Sequence, residues 1–486
     1  MTIADELLAI VGKANFIDDP KGLQSYSQDF SLVPPSAPNY AVIPKTSQQV
    51  EQIVQAANRH PTPLVPLSSR VHFYGATIPE QGGVVVDLSQ MNRILEIDDE
   101  NRRIRIEPGA TWEQVQAELE KHELRVVTPL LPHGQRSVVT DYLERSFSVE
   151  PIFEYSEPIL TTEVIWPSGE LFRTGSASTP GYPESEAQGL WPLGPGLDFW
   201  RLLLGAQGTM GIVTWANLKT EYLPKANKTF FMPFQTIDAA IEPIYKIQRR
   251  RMGHECLLLN SILLASILAE DWPGDFERLR ATLPPWTLIL ILSGSRRRPE
   301  ERIDYEEKAL REIARQEFPY LELLTGLPGA PRAARELPDR LRKPWPSGVP
   351  YWKQRYRGGC QDLFFVTKPA YAGQFVQEAI DVVARHDYTA ADLGCYLQPI
   401  EYARACHLEF NLFYNPNDAR EVARTREAHK DLAQAVFESG AFFNRPYGDV
   451  SKVAFNGADS GYVAFLKQIK KIFDPKQIMN PGKLCF

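Results

Sequence analysis

The chain has 486 residues, 43% of them hydrophobic and 23% charged, with a formal net charge of −7. That is long enough for two or three domains with cores of their own, and it lacks the basic excess of a nucleic-acid binder. Five cysteines, Cys256, Cys360, Cys395, Cys406 and Cys485, are scattered without a CxxC pair, which argues against a zinc site or iron–sulfur cluster carried by this chain and for a reduced, cytoplasmic setting.

Met1 to Glu6 shows neither the basic start nor the apolar core of a signal peptide. The best apolar run, Trp286–Leu292, has the length of a strand and not of a membrane span. The first repeating signal is strand–helix–strand. Ala41–Pro44 leads into a helix over Ser47–His60 with Ser47 as its cap and Val50, Ile53, Val54 and Ala57 on one face, and Pro63–Pro66 follows. A loop, Leu67–Gly75, then precedes a buried strand, Gly83–Leu88. Arg103–Glu107 alternates as a strand, and Thr111 caps a helix with Gln114 at the capping-box position. Leu160–Trp166 and Glu170–Thr174 read as a hairpin around Pro167-Ser168-Gly169. Thr179–Gly196, rich in Pro and Gly, reads as a long surface loop. Ala206–Thr214 sets small residues directly before a strand.

The composition changes near Pro224–Asn227. From there strands precede helices four times: Phe230–Phe234, Trp286–Leu292 before a helix opened by Pro299, Asp362–Thr367 before Ala370–His386, and His407–Tyr414 before Asn417–Ser439. This predicts an α+β domain whose antiparallel sheet carries helices on one face, leaving the other to cover something. Gly326–Pro350, rich in Pro and Arg, reads as an ordered excursion or a lid. Ser460–Phe473 is a last helix. Arg296–Arg298 is answered by Glu300 and Glu301 and reads as a solvated helix start.

Within the last domain, Ala405–Phe413 alternates. Leu408, Phe410 and Leu412 share one face; His407, Glu409 and Asn411 share the other. A histidine, a carboxylate and an amide in one row suit proton transfer in a pocket. The competing reading is the solvated face of an edge strand.

Four motifs in order resemble the vanillyl-alcohol oxidase/p-cresol methylhydroxylase family of flavoproteins. They are Val42–Thr46 with its helix, Gly83–Ile94 with Glu107–Trp112, Leu204–Thr214, and Phe473-Asp474-Pro475 through Asn480–Lys483. The resemblance implies a two-part FAD-binding domain of p-cresol methylhydroxylase type and an α+β cap domain. It divides the chain at 1–225, a cap at 226–445, and a segment at 446–486 returning to the first domain. It implies FAD, held by Ser68, Ser69, Arg70, Val71 and His72 of one loop, Ser137 and Thr140 of a second, Gly208, Gly211, Ile212 and Val213, and Asn480 and Lys483 of the tail; some relatives link the flavin covalently to a histidine in the first loop, and because His72 lies one position past that place the flavin is expected to be non-covalent. Both loops depart from the family pattern by losing glycines, and serine hydroxyls with the Arg70 guanidinium are expected to replace part of the anion nest.

No metal is expected, because Ile400 and Phe443–Gly448 stand where hydroxyacid-oxidising relatives carry metal-binding histidines. The expected function is FAD-dependent oxidation of an alcohol or alkylphenol-like, aromatic substrate. His407 or Glu409 serves as base, with Arg445 and Tyr447 binding an anionic group. Two alternatives stand beside it: a 2-hydroxyacid dehydrogenase using Arg355 or Arg404 for the carboxylate, and a flavin-free structural subunit paired with an active paralogue. The electron acceptor, oxygen or a protein, and a homo- or hetero-oligomeric state stay open.

Overall fold

The computed structural model describes residues 1–151, 158–179 and 189–486, so the middle of the expected Thr179–Gly196 loop lies outside the described residues. The first strand–helix–strand unit forms as expected. It contains α1 (Ile3–Val11), β1 (Phe16–Ile17), α2 (Pro20–Gln24), β2 (Tyr40–Val42), α3 (Ser47–Arg59), β3 (Leu64–Leu67) and β4 (Val84–Asp87). They make a sheet in the order β1-β2-β4-β3, with β2 and β3 both parallel to β4. Every residue of β4 is buried, as a strand covered on both faces requires. The cap of α3 is Thr46 and not Ser47. Thr46 keeps an extended φ of −142° and its side chain accepts from the Gln49 backbone N–H, while Ser47 is already helical.

A second sheet is antiparallel. It is built from β5 (Ile94–Asp98), β6 (Arg103–Ile106), β8 (Ile159–Ile165), β9 (Leu171–Arg173) and β10 (Ile212–Lys219), in the order β5-β6-β10-β8-β9. Between them come α4 (Trp112–Glu120), β7 (Leu124–Arg125) and α5 (Val138–Leu143); β7 pairs with β11 (Glu221–Tyr222). Thr111 caps α4, but the Gln114 side chain turns to the Asn92 carbonyl, so the capping box is not closed.

The third sheet has six antiparallel strands in the order β12-β14-β13-β16-β17-β15. They are β12 (Ala226–Phe234), β13 (Glu255–Asn260), β14 (Trp286–Gly294), β15 (Gly359–Thr367), β16 (Leu393–Ile400) and β17 (Ala405–Tyr414). On one face lie α6 (Ile237–Arg249), α9 (Pro299–Gln316), α11 (Ala372–Ala384) and α12 (Ala419–Glu438). Their Ile244, Leu310, Phe375 and Leu432 pack in one core with Leu408, Phe410 and Leu412 of β17. Each such buried side chain contributes roughly 1.5–3 kcal/mol.

The expected freedom from helices on the second face holds for β17 and β15, while α7 also packs on β16, whose Tyr396 joins that second core. Over the β12-β14-β13 half, α7 (Ser261–Leu268), α8 (Gly274–Thr282) and α10 (Ala333–Leu341) cover the second face too, around Ile262, Phe276 and Leu337. The cause is readable: Leu257, Leu259, Ile289 and Ile291 make that face apolar, whereas β17 presents His407, Glu409 and Asn411 there. The chain closes with α13 (Gly448–Gly457) and α14 (Ser460–Phe473). Its tail runs back to the first sheet, where Leu64 donates to the Ile478 carbonyl at 2.6 Å and Asn480 donates to the Leu64 carbonyl at 2.8 Å. No helix among the described residues is long and apolar enough to cross a membrane.

Candidate active site

The polar row of β17 is buried. His407 is 1% exposed, Glu409 2% and Asn411 0%. The strand lies between β16 and β15, which removes the solvated-edge reading. Register sets Asp362 of β15 opposite Asn411 and Tyr396 of β16 opposite Glu409. Lys353, from the turn before β15, reaches into the middle. Its ammonium donates to Asp362 Oδ2 at 2.6 Å and to Glu409 Oε1. Asn411 Nδ2 donates to Asp362 Oδ1 and Glu409 Oε1, both at 2.7 Å. Glu409 Oε2 accepts from the Tyr396 hydroxyl at 3.0 Å and lies 3.2 Å from His407 Nε2.

The charges in this network are unequal. Burial raises the Glu409 carboxyl, but Lys353 and His407 outweigh it and hold it well below the usual carboxylate range. Burial dominates at Asp362, whose carboxyl is raised despite Lys353. Burial also opposes the Lys353 charge, and the two carboxylates overcome it, so the ammonium persists. At His407 burial wins over Glu409 and the ring is held neutral. A neutral ring that donates from Nε2 to the ionised Glu409 keeps its lone pair on Nδ1. His407 Nδ1 has no hydrogen-bond partner among the described residues.

Beside this row, the Tyr74 and Tyr447 rings stack at 4.9 Å, and the Arg445 guanidinium lies 4.0 Å over Phe364 and 5.8 Å from the Tyr74 ring centre. Arg445 Nη1 donates to Ser146 Oγ at 2.9 Å. Arg445 Nε and the Tyr447 hydroxyl are buried without partners. Burial raises both tyrosine hydroxyls, with Arg445 pulling the other way, so both stay protonated as donors. The structure thus brings together all four residues expected to be catalytic and adds Lys353, Asp362, Tyr396, Asn411 and Tyr74.

Three cavities adjoin one another through shared wall residues, from this row to the loops expected to hold a cofactor. An inner one of about 50 Å³ is lined by His407, Glu409, Lys353, Tyr74 and Arg445. A wider one of about 560 Å³ shares Tyr74 and Arg445 with it and adds Tyr447, Gln207 and Lys483. A slot of about 100 Å³ shares Gln207 and is lined by Ser68, His72, Thr140, Gly208, Gly211, Ile212 and Val213. Most of the residues expected to hold a cofactor therefore meet on one path.

The path suits a dinucleotide. The backbone N–H groups of Arg70 through Tyr74 donate to no acceptor among the described residues, which leaves a run of donors for a pyrophosphate without the missing glycines. His72 Nδ1 and Asn480 Oδ1 are buried and unpartnered. Asn480 Nδ2 is spent on the Ala76 and Gln207 carbonyls, beside Gly208. What narrows the slot is a hydroxyl contact between Ser68 and Thr140 across the two loops. Ser137 caps α5 and its N–H donates to Ser69 Oγ at 3.3 Å. Val71 serves through its carbonyl, which accepts from Arg136 at 3.1 Å; Arg136 is locked by Asp141 and Glu144. Lys483 pairs with Glu80 at 2.6 Å.

One expectation is corrected. The Arg70 guanidinium turns away from the slot, 3.0 Å from Asp87 and 3.8 Å over the Tyr26 ring, because a buried carboxylate and an aromatic face hold it there. Arg404 and Arg355 also stay outside the inner cavity: Arg404 is paired with Glu401 at the surface, and Arg355 donates to the Ser266 and Ala269 carbonyls.

Comparison with known proteins supports FAD as the cofactor. A family model described as "FAD binding domain" matches residues 38–138, and one described as "FAD linked oxidases, C-terminal domain" matches residues 452–484. The chain is 23% identical to the glycolate oxidase subunit GlcD of Bacillus subtilis, over 99% of this chain and 96% of that protein. It is 24% identical to the 4-cresol dehydrogenase [hydroxylating] flavoprotein subunit of Pseudomonas putida, over 98% and 93%. The fold superposes on p-cresol methylhydroxylase with substrate bound at a TM-score of 0.85 and 20% identity, covering 100% of this chain and 96% of that one.

Proposed function

We propose that this FAD-dependent oxidoreductase belongs with the p-cresol methylhydroxylase/vanillyl-alcohol oxidase flavoproteins and oxidises a phenol carrying an alkyl or alcohol group. The observation that carries this reading is the set of buried, unpartnered polar atoms on adjoining cavities: Arg445 Nε and the Tyr447 hydroxyl on one side, His407 Nδ1 on the other. A cation with two tyrosine donors, Tyr74 and Tyr447, suits a phenolate oxygen. Aromatic walls from Tyr74, Phe364 and Phe147 suit its ring.

When bound, FAD supplies the acceptor for the substrate's hydride. With an alcohol-bearing phenol, His407 Nδ1 takes the proton released from the alcohol oxygen as its carbon gives up the hydride; with an alkylphenol, whose only oxygen is ionised beside Arg445 and the tyrosines, it takes a proton from the water that adds to the oxidised carbon. Ionised Glu409 stabilises the imidazolium through Nε2, Tyr396 fixes the ring, and Lys353 keeps Glu409 from taking the proton itself. Residues 1–225 and 446–486 hold the cofactor in this reading, and 226–445 cover it. His72 Nε2 is engaged by the Ser69 carbonyl at 2.8 Å, and the flavin is read as non-covalent.

Anaerobic stopped-flow reduction tests the substrate class. A 4-alkylphenol and a 4-hydroxybenzyl alcohol are expected to bleach the flavin, with Arg445→Met and Tyr447→Phe each weakening substrate binding about tenfold or more. Reduction by 2-hydroxyacids alone would move the reading to the second class, with Arg445 holding the carboxylate.

A further inference from the structure

A cleft of about 490 Å³ lies outside the site described above. Its volume is that of a small-molecule site. Its walls are apolar: Leu131, Trp272, Trp345, Val349 and three prolines, Pro344, Pro346 and Pro350. Its charged groups are three cations, Arg340, Lys343 and Arg355, and one carboxylate, Glu270 at the rim. The Arg355 guanidinium lies 4.6 Å from the Trp272 ring centre and 5.6 Å from that of Trp345. Its Nη1 is spent on two backbone carbonyls, and no carboxylate among the described residues lies within ion-pair distance of it. Arg340 lines the same cleft; its Nη1 donates to the Ile267 carbonyl and its nearest carboxylate, Glu336, is 3.9 Å away. Burial, with the charge of Arg340 adding to it, lowers the Arg355 pKa. Two guanidinium groups therefore repel each other over an apolar floor. The rim adds Lys343, paired with Glu120 at 3.0 Å, and Glu270, 4.0 Å from Arg332.

We propose that this cleft binds a small aryl carboxylate, its ring against the Trp272 and Trp345 indoles and its carboxylate on Arg355 and Arg340. Neutral aromatics satisfy the walls and leave Arg355 without a counter-charge; a carboxylate without a ring does the reverse. The occupant sits one wall away from the inner cavity. Leu131 and Pro350 face the cleft, while their neighbours Leu130, Pro132 and Tyr351 line the inner cavity. Trp352 ties the layers, its indole N–H donating to the Leu131 carbonyl at 3.1 Å. The site is separate from the substrate assignment and does not depend on it.

Titration calorimetry of the holoprotein with benzoate, benzyl alcohol and acetate tests it. Benzoate is expected to bind one to one, with benzyl alcohol and acetate at least about tenfold weaker. Arg355→Met is expected to weaken benzoate about tenfold or more; Arg340→Met serves the same purpose if the first variant does not fold. Arg445→Met, in the inner cavity, should leave benzoate binding within about twofold, and benzoate should leave the visible flavin spectrum unchanged. No benzoate binding up to about 10 mM, equal binding of benzyl alcohol, or loss of binding in Arg445→Met in place of the cleft variants would each overturn the proposal.

Discussion

Two buried ion networks contact the six-stranded sheet, and they are built to opposite ends. In one, Arg342 grips Glu255 with Nε and Nη2 at 2.5 and 2.7 Å, and Arg125 meets Glu150 at 2.5 Å, with His254 Nδ1 3.4 Å from both carboxylates. In the other, a single Lys353 ammonium sits between Asp362 and Glu409. A guanidinium fork occupies both oxygens of a carboxylate, whereas an ammonium is a point charge. Glu409 therefore keeps Oε2 for His407, and His407 keeps Nδ1 for a substrate. The same ingredients make a clamp in one place and, in the function proposed above, a base in the other; what differs is which lone pair is left over.

Removing either cation sharpens this comparison most. Lys353→Met and Arg342→Met each leave a buried carboxylate without its partner, and each is expected to cost about 3–5 kcal/mol in urea unfolding. Only Lys353→Met should also shift the pH profile of flavin reduction, because only Lys353 sets the charge of the base's partner. Equal shifts in both variants would erase the distinction.

Acid separates stability from chemistry next. Burial pushes His72 down to about 3 and His429 to about 4. Below the unfolded value of 6.5 the unfolded chain takes up protons that these folded sites refuse, so stability is intact above about pH 6.5 and falls as pH drops toward 4. The loss is on the order of 3 kcal/mol for each group at pH 4. His429→Gln should flatten that slope by its share; a wild-type unfolding free energy independent of pH between 6.5 and 4.5 would contradict it.

The smallest effect concerns metal. Ligand atoms of Glu150, His254 and Glu255 lie within 4.8 Å of one another, which looks like a cation site. Arg125 and Arg342 already neutralise those carboxylates. Treatment with EDTA, or added Mn²⁺, is expected to move the melting temperature by less than about 1 °C. A larger stabilisation by Mn²⁺ would make the clamp a metal site.

Half of the base network is legible in the chain. Period-two alternation in β17 put His407, Glu409 and Asn411 on one face, and a strand's own pleat is enough to show that. Asp362 and Tyr396 depend on cross-strand register, which a single sequence does not contain, though a lone aspartate inside the apolar run Cys360–Thr367 is a faint signal. Lys353 stands in a turn whose path no local pattern predicts. Tyr74 was in view as part of a cofactor loop, and only its stacking on Tyr447, 373 positions further along, places it at the substrate side. The second layer of helices over β12-β14-β13 was written in the apolar Leu257, Leu259, Ile289 and Ile291. An all-apolar strand does not say whether a helix or another domain covers it.

The central claim is that His407 Nδ1 is the base. It is tested most directly by anaerobic stopped-flow reduction of His407→Gln with a 4-hydroxybenzyl alcohol, whose alcohol oxygen loses its proton as the hydride leaves. The variant is expected to retain its flavin and its melting temperature within a few degrees, and to reduce its flavin about a hundredfold more slowly or worse, the loss typical of a removed general base. A folded, flavin-loaded His407→Gln protein reduced at the wild-type rate would contradict the account.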